Sequence, residues 1–435
     1  MLLGQLDLEK PFALSADAVL SPYVFVFYAS FIVAFLFTPI MRSIAIHYDI
    51  VDRPDGARKM HRMPVAYLGG VAVFLGWLIG LAISQALQLH YWEPGLPTRI
   101  DILLPVVFGA VLIVVLGLLD DIRKRGISPM FKILGQMTAA FALLLAGVGD
   151  ELTEPFFRNL NARLFLYFGY GFTPDVLALM VKFSSGALTV AIVVFCCNAT
   201  NLMDGLDGLC GGVTSIIALG YVAVMVYLAM YSGVEDSNLA GFRVVLALAL
   251  LGAVLGFVPF NFNPASIFMG DTGSMFLGFA CALAIIMAGE MEAKWLLATL
   301  VMFSLPVLDT ALAFARRYVN RRPLFSADKQ HIHHQLVGRG LSVKQAVLVA
   351  YALAIFFVLC GLAIVFMRTR YAVAFYLVLF GCIVVAAYKM GMVHERPSTV
   401  KRSGVGDDDR AIAPADNTEG VIDVQPRRRS TDRPH

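Results

Sequence analysis

Two adjacent carboxylates stand at the end of the third long apolar segment, in the sequence GLLDDIRKRGISP. Asp120 and Asp121 repel each other, and in a partly desolvated site such a pair needs a cation or a shared proton. Alternatively, both cap the preceding helix and pair with the cations from Arg123 to Arg125, although the C-terminal end of a helix disfavours anions. We interpret the pair as part of a catalytic site.

A second acidic pair follows in the glycine-rich segment NATNLMDGLDGLCGG. Asp204 and Asp207 lie three residues apart, so a helical continuation would place both carboxylates on one face, together with Asn201. The neighbouring glycines allow the backbone to approach a ligand closely. An acidic turn without function is the alternative, and the apolar flanks of the segment argue against it.

A fifth carboxylate lies in FVPFNFNPASIFMGDTGSMF, where Asp271 directly precedes another apolar segment. Backbone amides at the start of a helix bind anions such as phosphate, whereas Asp271 by itself could be a simple N-cap. Together with Asn261, Asn263 and Phe268 in the same segment, Asp271 indicates a ligand pocket.

A strongly basic segment, RRYVNRRPLFSADKQHIHHQLVGRG, carries three closely spaced histidines. Such histidines could hold zinc, but no cysteine accompanies them, and the carboxylate oxygens elsewhere favour a hard cation. We expect arginines and histidines of this segment to bind phosphate oxygens. These residues are Arg317, Arg321, Arg322, His331, His333 and His334.

Further charged residues favour a reaction between anions. The loop VDRPDGARKMHRMPVAYLGG adds Lys59 and His61, although an ordinary cation-rich loop has the same composition. Asp309 lies inside an apolar run, where acids are usually functional, although pairing with Arg316 or Arg317 would also explain it. A divalent metal suits such a site because it neutralises phosphate charge, and phosphoryl transfer needs mainly positioning and electrostatics.

Long apolar runs separate these polar segments and must position them. The chain has 435 residues, of which 59% are hydrophobic and 15% charged, whereas soluble domains carry roughly a quarter charged residues. Because about 20 apolar residues cross a hydrocarbon core of roughly 30 Å, we predict an all-α, polytopic membrane bundle of about eleven transmembrane helices. The predicted spans are residues 23–41, 68–86, 102–119, 133–148, 183–197, 209–230, 244–260, 275–288, 295–314, 346–366 and 371–388. Residues 156–182 could form an interfacial helix or a re-entrant segment.

The distribution of Lys and Arg predicts the orientation, because cytoplasmic loops retain these residues. The loops after the first, third and ninth predicted spans are rich in cations, whereas those after the second, eighth and tenth carry few. We therefore predict an outside N-terminus and a cytoplasmic C-terminus, which places the polar segments on the cytoplasmic face. The start of the chain lacks the pattern of a cleaved signal, so the first span is expected to be permanent. Residues 1–392 would form the transmembrane domain and residues 393–435 a disordered, charged cytoplasmic tail.

Four segments together resemble a known family. LLDDIRKRG, NLMDGLDGL, FNFNPASIFMGDTGS and DKQHIHHQL occur in the order and topology of the polyprenyl-phosphate N-acetylhexosamine-1-phosphate transferases, which include the phospho-MurNAc-pentapeptide transferase. The resemblance covers roughly residues 51–342, and HIHH after an Arg-rich loop is similar to the GlcNAc-1-phosphate branch. It implies a UDP-sugar donor, undecaprenyl phosphate as acceptor, Mg²⁺ or Mn²⁺ as cofactor and UMP as leaving group.

The resemblance also implies roles for individual residues. Asp120 and Asp121 match the catalytic pair, with Asp120 as base or nucleophile, and Asp271 matches the metal ligand, to which we add Asp121. The other residues expected to be catalytic are Asp204, Asp207, His331, His333 and His334. The residues expected to bind substrate are Lys59, His61, Lys132, Asn201, Asn261, Phe268, Arg317, Arg321 and Arg322, with Asp207 and Phe268 at positions associated with uracil.

We therefore expect an inner-membrane enzyme that transfers GlcNAc-1-phosphate from UDP-GlcNAc to undecaprenyl phosphate, with a cytoplasmic active site. This reaction would initiate a cell-surface polysaccharide such as lipopolysaccharide O-antigen. The same reaction with another UDP-sugar, including UDP-MurNAc-pentapeptide, is one alternative. A secondary transporter is another, but transporters place their sites near the bilayer midplane, and these acids gather at one surface. The expected partners are the UDP-sugar, the lipid acceptor and the bilayer, without nucleic acid, and a homodimer is left open.

Overall fold

The computed structural model describes residues 14–52, 64–90, 100–123, 126–232, 237–321 and 331–389, and this part of the chain is almost entirely helical. In chain order the helices are α1 (Ala16–Leu20), α2 (Val24–His47), α3 (Gly69–His90), α4 (Ile100–Ile122), α5 (Pro129–Leu145), α6 (Glu154–Phe168), α7 (Pro174–Met203), α8 (Leu209–Ser232), α9 (Ser237–Asn261), α10 (Gly270–Gly289), α11 (Ala293–Met302), α12 (Ser304–Val319), α13 (Ile332–Gly338), α14 (Val343–Val365) and α15 (Thr369–Lys389). Two short strands between α2 and α3, β1 (Val51–Asp52) and β2 (Val65–Ala66), pair antiparallel. Strand β2 also forms a parallel bridge from Ala66 to Ile267.

Nine of the described helical segments are long and apolar enough to cross a membrane, and a sharply bent pair adds a tenth. These segments confirm the prediction of an all-α, polytopic membrane protein. The remaining predicted span falls on α5, which has 17 residues and is shorter than the other crossings. The exact number of crossings and the sides of the two termini stay predictions, and the predicted tail over residues 393–435 lies outside the described residues.

Helix α10 forms the centre of the bundle. Every residue in the membrane-spanning stretch of α10 is buried. The helix packs against α3, α4, α7 and α11. Small residues permit this packing, since a side chain at Gly278 would collide with the backbone of α7 at Cys197, and small residues let membrane helices approach each other. The neighbouring helices thereby fix the position of α10, which carries Asp271 in its first turn.

The predicted span over residues 295–314 is divided in the structure. Helix α11 ends at Met302 and α12 begins at Ser304, with a bend of 74° between them. Pro306 lies in the first turn of α12, where its missing N–H would have no helical partner. The sequence SLP is therefore compatible with a new helix start at this point, and the single continuous helix that hydropathy suggests is not formed.

Residues 156–182 form an amphipathic helix followed by the start of a span. Helix α6 has Phe156, Leu160 and Leu164 at helical spacing on one face, none of its residues is buried, and it ends at Gly169, whose φ is +73°. Helix α7 then begins at Pro174. Because α6 precedes one end of α7 and Asp204 follows the other, α6 and the acidic segments lie on opposite faces of the bundle. An amphipathic pattern of this kind is typical of an interfacial helix and not of a re-entrant segment.

Candidate active site

Three helix ends bring the acidic side chains together. Asp120 and Asp121 lie in the last turn of α4, Asp271 lies in the first turn of α10, and Asp204 directly follows α7. Helix α10 packs against both α4 and α7, which places the three ends side by side. We call Asp120, Asp121, Asp204, Asp207 and Asp271 the acidic cluster.

Lys132 connects two members of the acidic cluster. Its Nζ lies 2.9 Å from Asp120 Oδ2 and 2.5 Å from Asp271 Oδ2. The lysine stands in the first turn of α5, where the Ser128 hydroxyl caps the helix by accepting a hydrogen bond from the Phe131 N–H. Hydrogen bonds between charged groups are stronger than those between neutral ones, so the ammonium joins the ends of α4, α5 and α10.

The other oxygens of these two carboxylates are also engaged. Asp120 Oδ1 accepts a hydrogen bond of 2.6 Å from the Ile127 N–H. Asp271 Oδ1 accepts one of 2.9 Å from Asn201 Nδ2 on α7, which also donates to Ser274 Oγ at 3.1 Å. Asn201, which the sequence predicts to bind substrate, therefore orients the carboxylate of Asp271 in this structure.

Asp121 faces α10 and not Lys132. Its Oδ1 accepts a hydrogen bond of 2.9 Å from the Asp271 N–H. Its Oδ2 accepts hydrogen bonds from the Thr272 N–H at 3.0 Å and from the Thr272 hydroxyl at 2.6 Å. The alternative in which both acids cap the end of their own helix is therefore not observed, because Asp121 caps the start of α10.

The second acidic pair is divided between two environments. Helix α7 ends at Met203, so the helical continuation that would place Asp204 and Asp207 on one face is not formed. Asp207 Oδ2 instead accepts hydrogen bonds from Asn263 Nδ2 at 2.9 Å and from the Ala265 N–H at 3.0 Å. Asp207 thereby holds the loop between α9 and α10.

Asp204 is the member of the acidic cluster that holds a proton near neutral pH. Burial, followed by the negative charges of Asp271, Asp121 and Asp207, raises the pKa of Asp204 to about 8. A protonated carboxyl group can donate a hydrogen bond, which an ionised carboxylate cannot. Asp204 therefore adds little negative charge to the cluster at pH 7.

The predicted pocket residues between α9 and α10 support their own loop. Asn261 Oδ1 accepts a hydrogen bond of 3.1 Å from the Gly208 N–H, and Asn261 Nδ2 donates to the Ile267 carbonyl at 3.0 Å. The Phe268 N–H donates to a carbonyl of β2 at 2.7 Å, and the Phe268 ring centre lies 5.9 Å from that of Tyr67. These contacts hold the start of α10 against the loop after α7 and against β2.

Tyr67 is a residue of the site that the sequence did not predict. Burial, followed by the charges of Asp52, Asp121 and Asp271, raises the pKa of the Tyr67 phenol. The phenol therefore stays protonated and donates its hydrogen bond to Asp52. The available signal was its place in AYLGG, immediately ahead of the paired glycines that begin α3.

The histidine segment is anchored by an intramembrane acid. His331 Nδ1 lies 2.9 Å from Asp309 Oδ2, and Asp309 Oδ1 accepts a hydrogen bond of 2.7 Å from the Ile332 N–H. Asp309 lies on α12, after the bend, and is buried together with His331. The acid thus links the bent helix to the start of α13.

His333 connects the histidine segment to the acidic loop. Its buried ring packs against Gly205, just after α7, and its Nε2 has no hydrogen-bond partner among the described residues. Burial, followed by the neighbouring His334, lowers the pKa of His333 to about 3. His333 is therefore a neutral imidazole, which carries no positive charge and can donate one hydrogen bond. His334 is exposed, with its ring centre 4.3 Å from that of His333.

The predicted phosphate-binding arginines are described in part. Arg317 is buried on α12, and its Cζ lies 5.5 Å from the ring centre of Phe314. Arg321 follows α12 with a φ of +53°. Lys59, His61 and Arg322 lie outside the described residues.

The acidic cluster has the donor chemistry that a hard divalent cation requires. Mg²⁺ is usually bound through one or two carboxylates together with substrate phosphates. Asp120 Oδ2 and Asp271 Oδ2 already share one positive charge, that of Lys132, so these two oxygens fit such a cation. In the part of the chain that the structure describes, no three His, Cys, Asp or Glu side chains form a metal site by themselves. The carboxylate of Asp121 is directed at α10.

Comparisons with known proteins identify relatives of the chain. The sequence model of glycosyl transferase family 4 matches residues 103–289, which contain the whole acidic cluster. The chain is similar to a probable undecaprenyl-phosphate N-acetylglucosaminyl 1-phosphate transferase of Bacillus subtilis strain 168, with 34% identity over 77% of this chain and 82% of the relative. A decaprenyl-phosphate N-acetylglucosaminephosphotransferase of Mycobacterium tuberculosis strain H37Rv is 34% identical over 74% of this chain and 77% of its own length. A phospho-N-acetylmuramoyl-pentapeptide-transferase of Bacillus cereus strain AH187 is 30% identical over 70% and 85%.

Proposed function

The chain belongs to the polyprenyl-phosphate N-acetylhexosamine-1-phosphate transferases of glycosyl transferase family 4, and we propose that it transfers GlcNAc-1-phosphate from UDP-GlcNAc to undecaprenyl phosphate. The products are undecaprenyl-diphosphate-GlcNAc and UMP, and the reaction initiates a cell-surface polysaccharide at the cytoplasmic face of the inner membrane. Two relatives named for N-acetylglucosamine share 34% identity with the chain, against 30% for the relative named for muramoyl-pentapeptide. This difference supports GlcNAc as the sugar.

The observation that carries the reaction type is the ammonium shared by two carboxylates. Lys132 on α5 contacts Asp120 on α4 and Asp271 on α10, so three helices hold opposite charges at one point. A reaction between a nucleotide diphosphate and a lipid phosphate needs anionic groups to be brought together and their charge to be neutralised. Side chains fixed by helix ends provide this without reorganisation during the reaction.

The proposed reaction forms one phosphorus–oxygen bond and breaks another. An oxygen of the lipid phosphate bonds to the phosphorus that carries the sugar, and UMP leaves with the bridging oxygen. Asp120 accepts the proton of the lipid phosphate. The Lys132 ammonium contacts the phosphate oxygens on which negative charge accumulates. A labelled phosphate trapped on Asp120 would show instead that this carboxylate attacks the donor.

We also propose Mg²⁺ or Mn²⁺ as the cofactor, which Asp271 and Asp120 would hold together with substrate phosphates. Such an ion would neutralise the charge of the diphosphate and polarise the bond that breaks. Asn201 holds one oxygen of the Asp271 carboxylate and thereby fixes the orientation of this side chain.

The remaining residues are proposed to hold the ends of the donor. The rings of Phe268 and Tyr67, 5.9 Å apart, offer apolar faces for the uracil. Asp207 Oδ2 is engaged by Asn263 and by the Ala265 N–H, so a contact of Asp207 with uracil is proposed to involve Oδ1. The exposed His334 is proposed to bind diphosphate oxygens, next to His331.

The test is release of UMP by the purified protein supplied with undecaprenyl phosphate and Mg²⁺. UDP-GlcNAc, UDP-GalNAc and UDP-MurNAc-pentapeptide are offered separately, and UDP-GlcNAc is expected to give the fastest release. Asp271→Asn is expected to be inactive, whereas Asp175→Asn, which changes an exposed acid at the opposite end of α7, is expected to retain activity. No release from any donor refutes the reaction, and faster release from another donor refutes the sugar. Transport of UDP-sugar into sealed vesicles without lipid product would indicate a transporter.

A further inference from the structure

The carboxylate oxygens of Asp121 are almost fully occupied by hydrogen bonds within the protein. Its oxygens accept three hydrogen bonds, from the Asp271 N–H, the Thr272 N–H and the Thr272 hydroxyl. An ionised carboxylate offers about four acceptor positions, so little of this group is left for a ligand. All three donors belong to Asp271 or to the residue that follows it.

The start of α10 needs such a partner. The first backbone N–H groups of a helix have no partner within the helix, and the N-cap residue Met269 supplies no side-chain hydrogen bond. A negative charge at this end is favourable because the helix dipole is positive there. Asp121 therefore acts as an N-cap that comes from a neighbouring helix.

Two glycines make the contact between α4 and α10 close enough. A side chain at Gly117 would collide with the backbone of Thr272, and a side chain at Gly270, whose φ is +71°, would collide with the carboxylate of Asp121. Thr272 itself is fully buried. The position of the Asp121 carboxylate is thus built into the packing of the two helices.

We propose that Asp121 and Thr272 are positioning residues that fix the first turn of α10, so that the carboxylate of Asp271 faces Lys132 and Asp120. The proposal rests on the proposed function, because the place that Asp271 faces is the one assigned to the divalent cation. Thr272 has no role in the sequence prediction. Asp121, predicted as a metal ligand, acts on the cation only through Asp271.

Thr272→Val tests the proposal with the least disturbance, since valine has nearly the shape of threonine and lacks only the hydroxyl. Binding of Mn²⁺ to the purified protein, without substrate, is followed by electron paramagnetic resonance. We expect Thr272→Val to weaken Mn²⁺ binding about tenfold or more, as befits the loss of a hydrogen bond to a charged group. Thr272→Ser, which retains the hydroxyl, is expected to bind Mn²⁺ as the wild type does.

Thr299→Val is the matched control. Thr299 is also fully buried, but its hydroxyl bonds only to carbonyls of its own helix, those of Trp295 and Leu296. This variant is expected to bind Mn²⁺ like the wild type. Size-exclusion chromatography checks that each variant is folded, and Asp121→Asn is expected to weaken Mn²⁺ binding less than Asp271→Asn.

Several results would overturn the proposal. Wild-type Mn²⁺ affinity in Thr272→Val, equal weakening in Thr272→Ser and Thr272→Val, or an absence of Mn²⁺ binding by the wild type would each do so. Failure of the proposed function has a different signature, which is Mn²⁺ binding by the wild type without UMP release from any UDP-sugar. The Mn²⁺ affinities of the variants can be compared whether or not the protein releases UMP.

Discussion

Replacing Lys132 with Met tests the centre of the proposed site. The ammonium makes contacts of 2.9 Å and 2.5 Å to two carboxylates, and only 18% of the lysine side chain is exposed, so water replaces these contacts poorly. A hydrogen bond to a charged partner contributes about 1.5–3 kcal/mol. If one such contact passes to the substrate in the transition state, its loss lowers kcat by about 10- to 150-fold.

The assay for Lys132→Met is UMP release at saturating concentrations of both substrates. Lys182→Met is the matched control, because Lys182 is an exposed lysine on α7, far along the helix from its Met203 end. We expect the control to retain wild-type kcat. A Lys132→Met variant as active as Lys182→Met would refute the assignment of the ammonium to the reaction.

The Mg²⁺ dependence of the same variant separates a charge effect from a structural one. The ammonium and the proposed cation neutralise the same two carboxylates, those of Asp120 and Asp271. Removing the ammonium leaves the carboxylates more negative, so the Mg²⁺ concentration at half-maximal activity is expected to fall even as kcat falls. If Lys132 only held the helices together, the carboxylates would separate and that concentration would rise.

Three further predictions concern other parts of the molecule. Asp309→Asn removes the charged partner of His331. In the UMP assay it is expected to lower kcat about tenfold, as for the loss of a hydrogen bond to a charged group. An unchanged kcat would show that the contact between Asp309 and His331 is not needed for the reaction. Burial raises the pKa of Asp204 from 3.8 to about 8, so its protonated form contributes stability that is complete below pH 3.8 and is lost as the pH rises through about 8. Asp204→Asn should therefore be more stable relative to wild type at about pH 9, above the window, than at about pH 5, near its lower end, by thermal unfolding, and an equal difference at both pH values contradicts the raised pKa. Phe168→Trp on α6 should place an indole that is quenched by brominated lipids, and quenching by aqueous iodide alone would contradict the interfacial position.

The spans could be predicted from the sequence because hydropathy reports what each segment does in lipid. A helix satisfies its own backbone groups, so apolar length alone identifies a crossing. Hydropathy does not report the direction of the helix axis. The segments on both sides of Phe303 are apolar, so the 74° bend between them leaves no trace in the hydropathy. The early start of α7 was missed for a related reason, because Pro174 and Asp175 are polar signals at a helix start that an apolar average penalises.

The site could be predicted as a set of residues but not as a set of contacts. The acidic cluster and the histidines are present in polar segments, and their common face follows from counting spans, whereas Lys132 followed only from the family resemblance. Asp309 meets His331, Asp207 meets the Asn263 side chain, and Tyr67 approaches the acidic cluster only because distant segments pack together. The neutrality of His333 likewise depends on burial against Gly205, which no local pattern indicates.

The adjacent acids of α4 show how a motif can mislead when its members are treated as one unit. Successive residues of an α-helix point about 100° apart, since a turn contains about 3.6 residues, so Asp120 and Asp121 must meet different neighbours. Asp120 meets the ammonium of Lys132, and Asp121 meets the N-terminus of α10. Each acid therefore has its own positive partner, and the pair needs no shared proton or bridging cation to coexist. The need for a cation arises instead between Asp120 and Asp271, which are remote in sequence and converge on one positive charge.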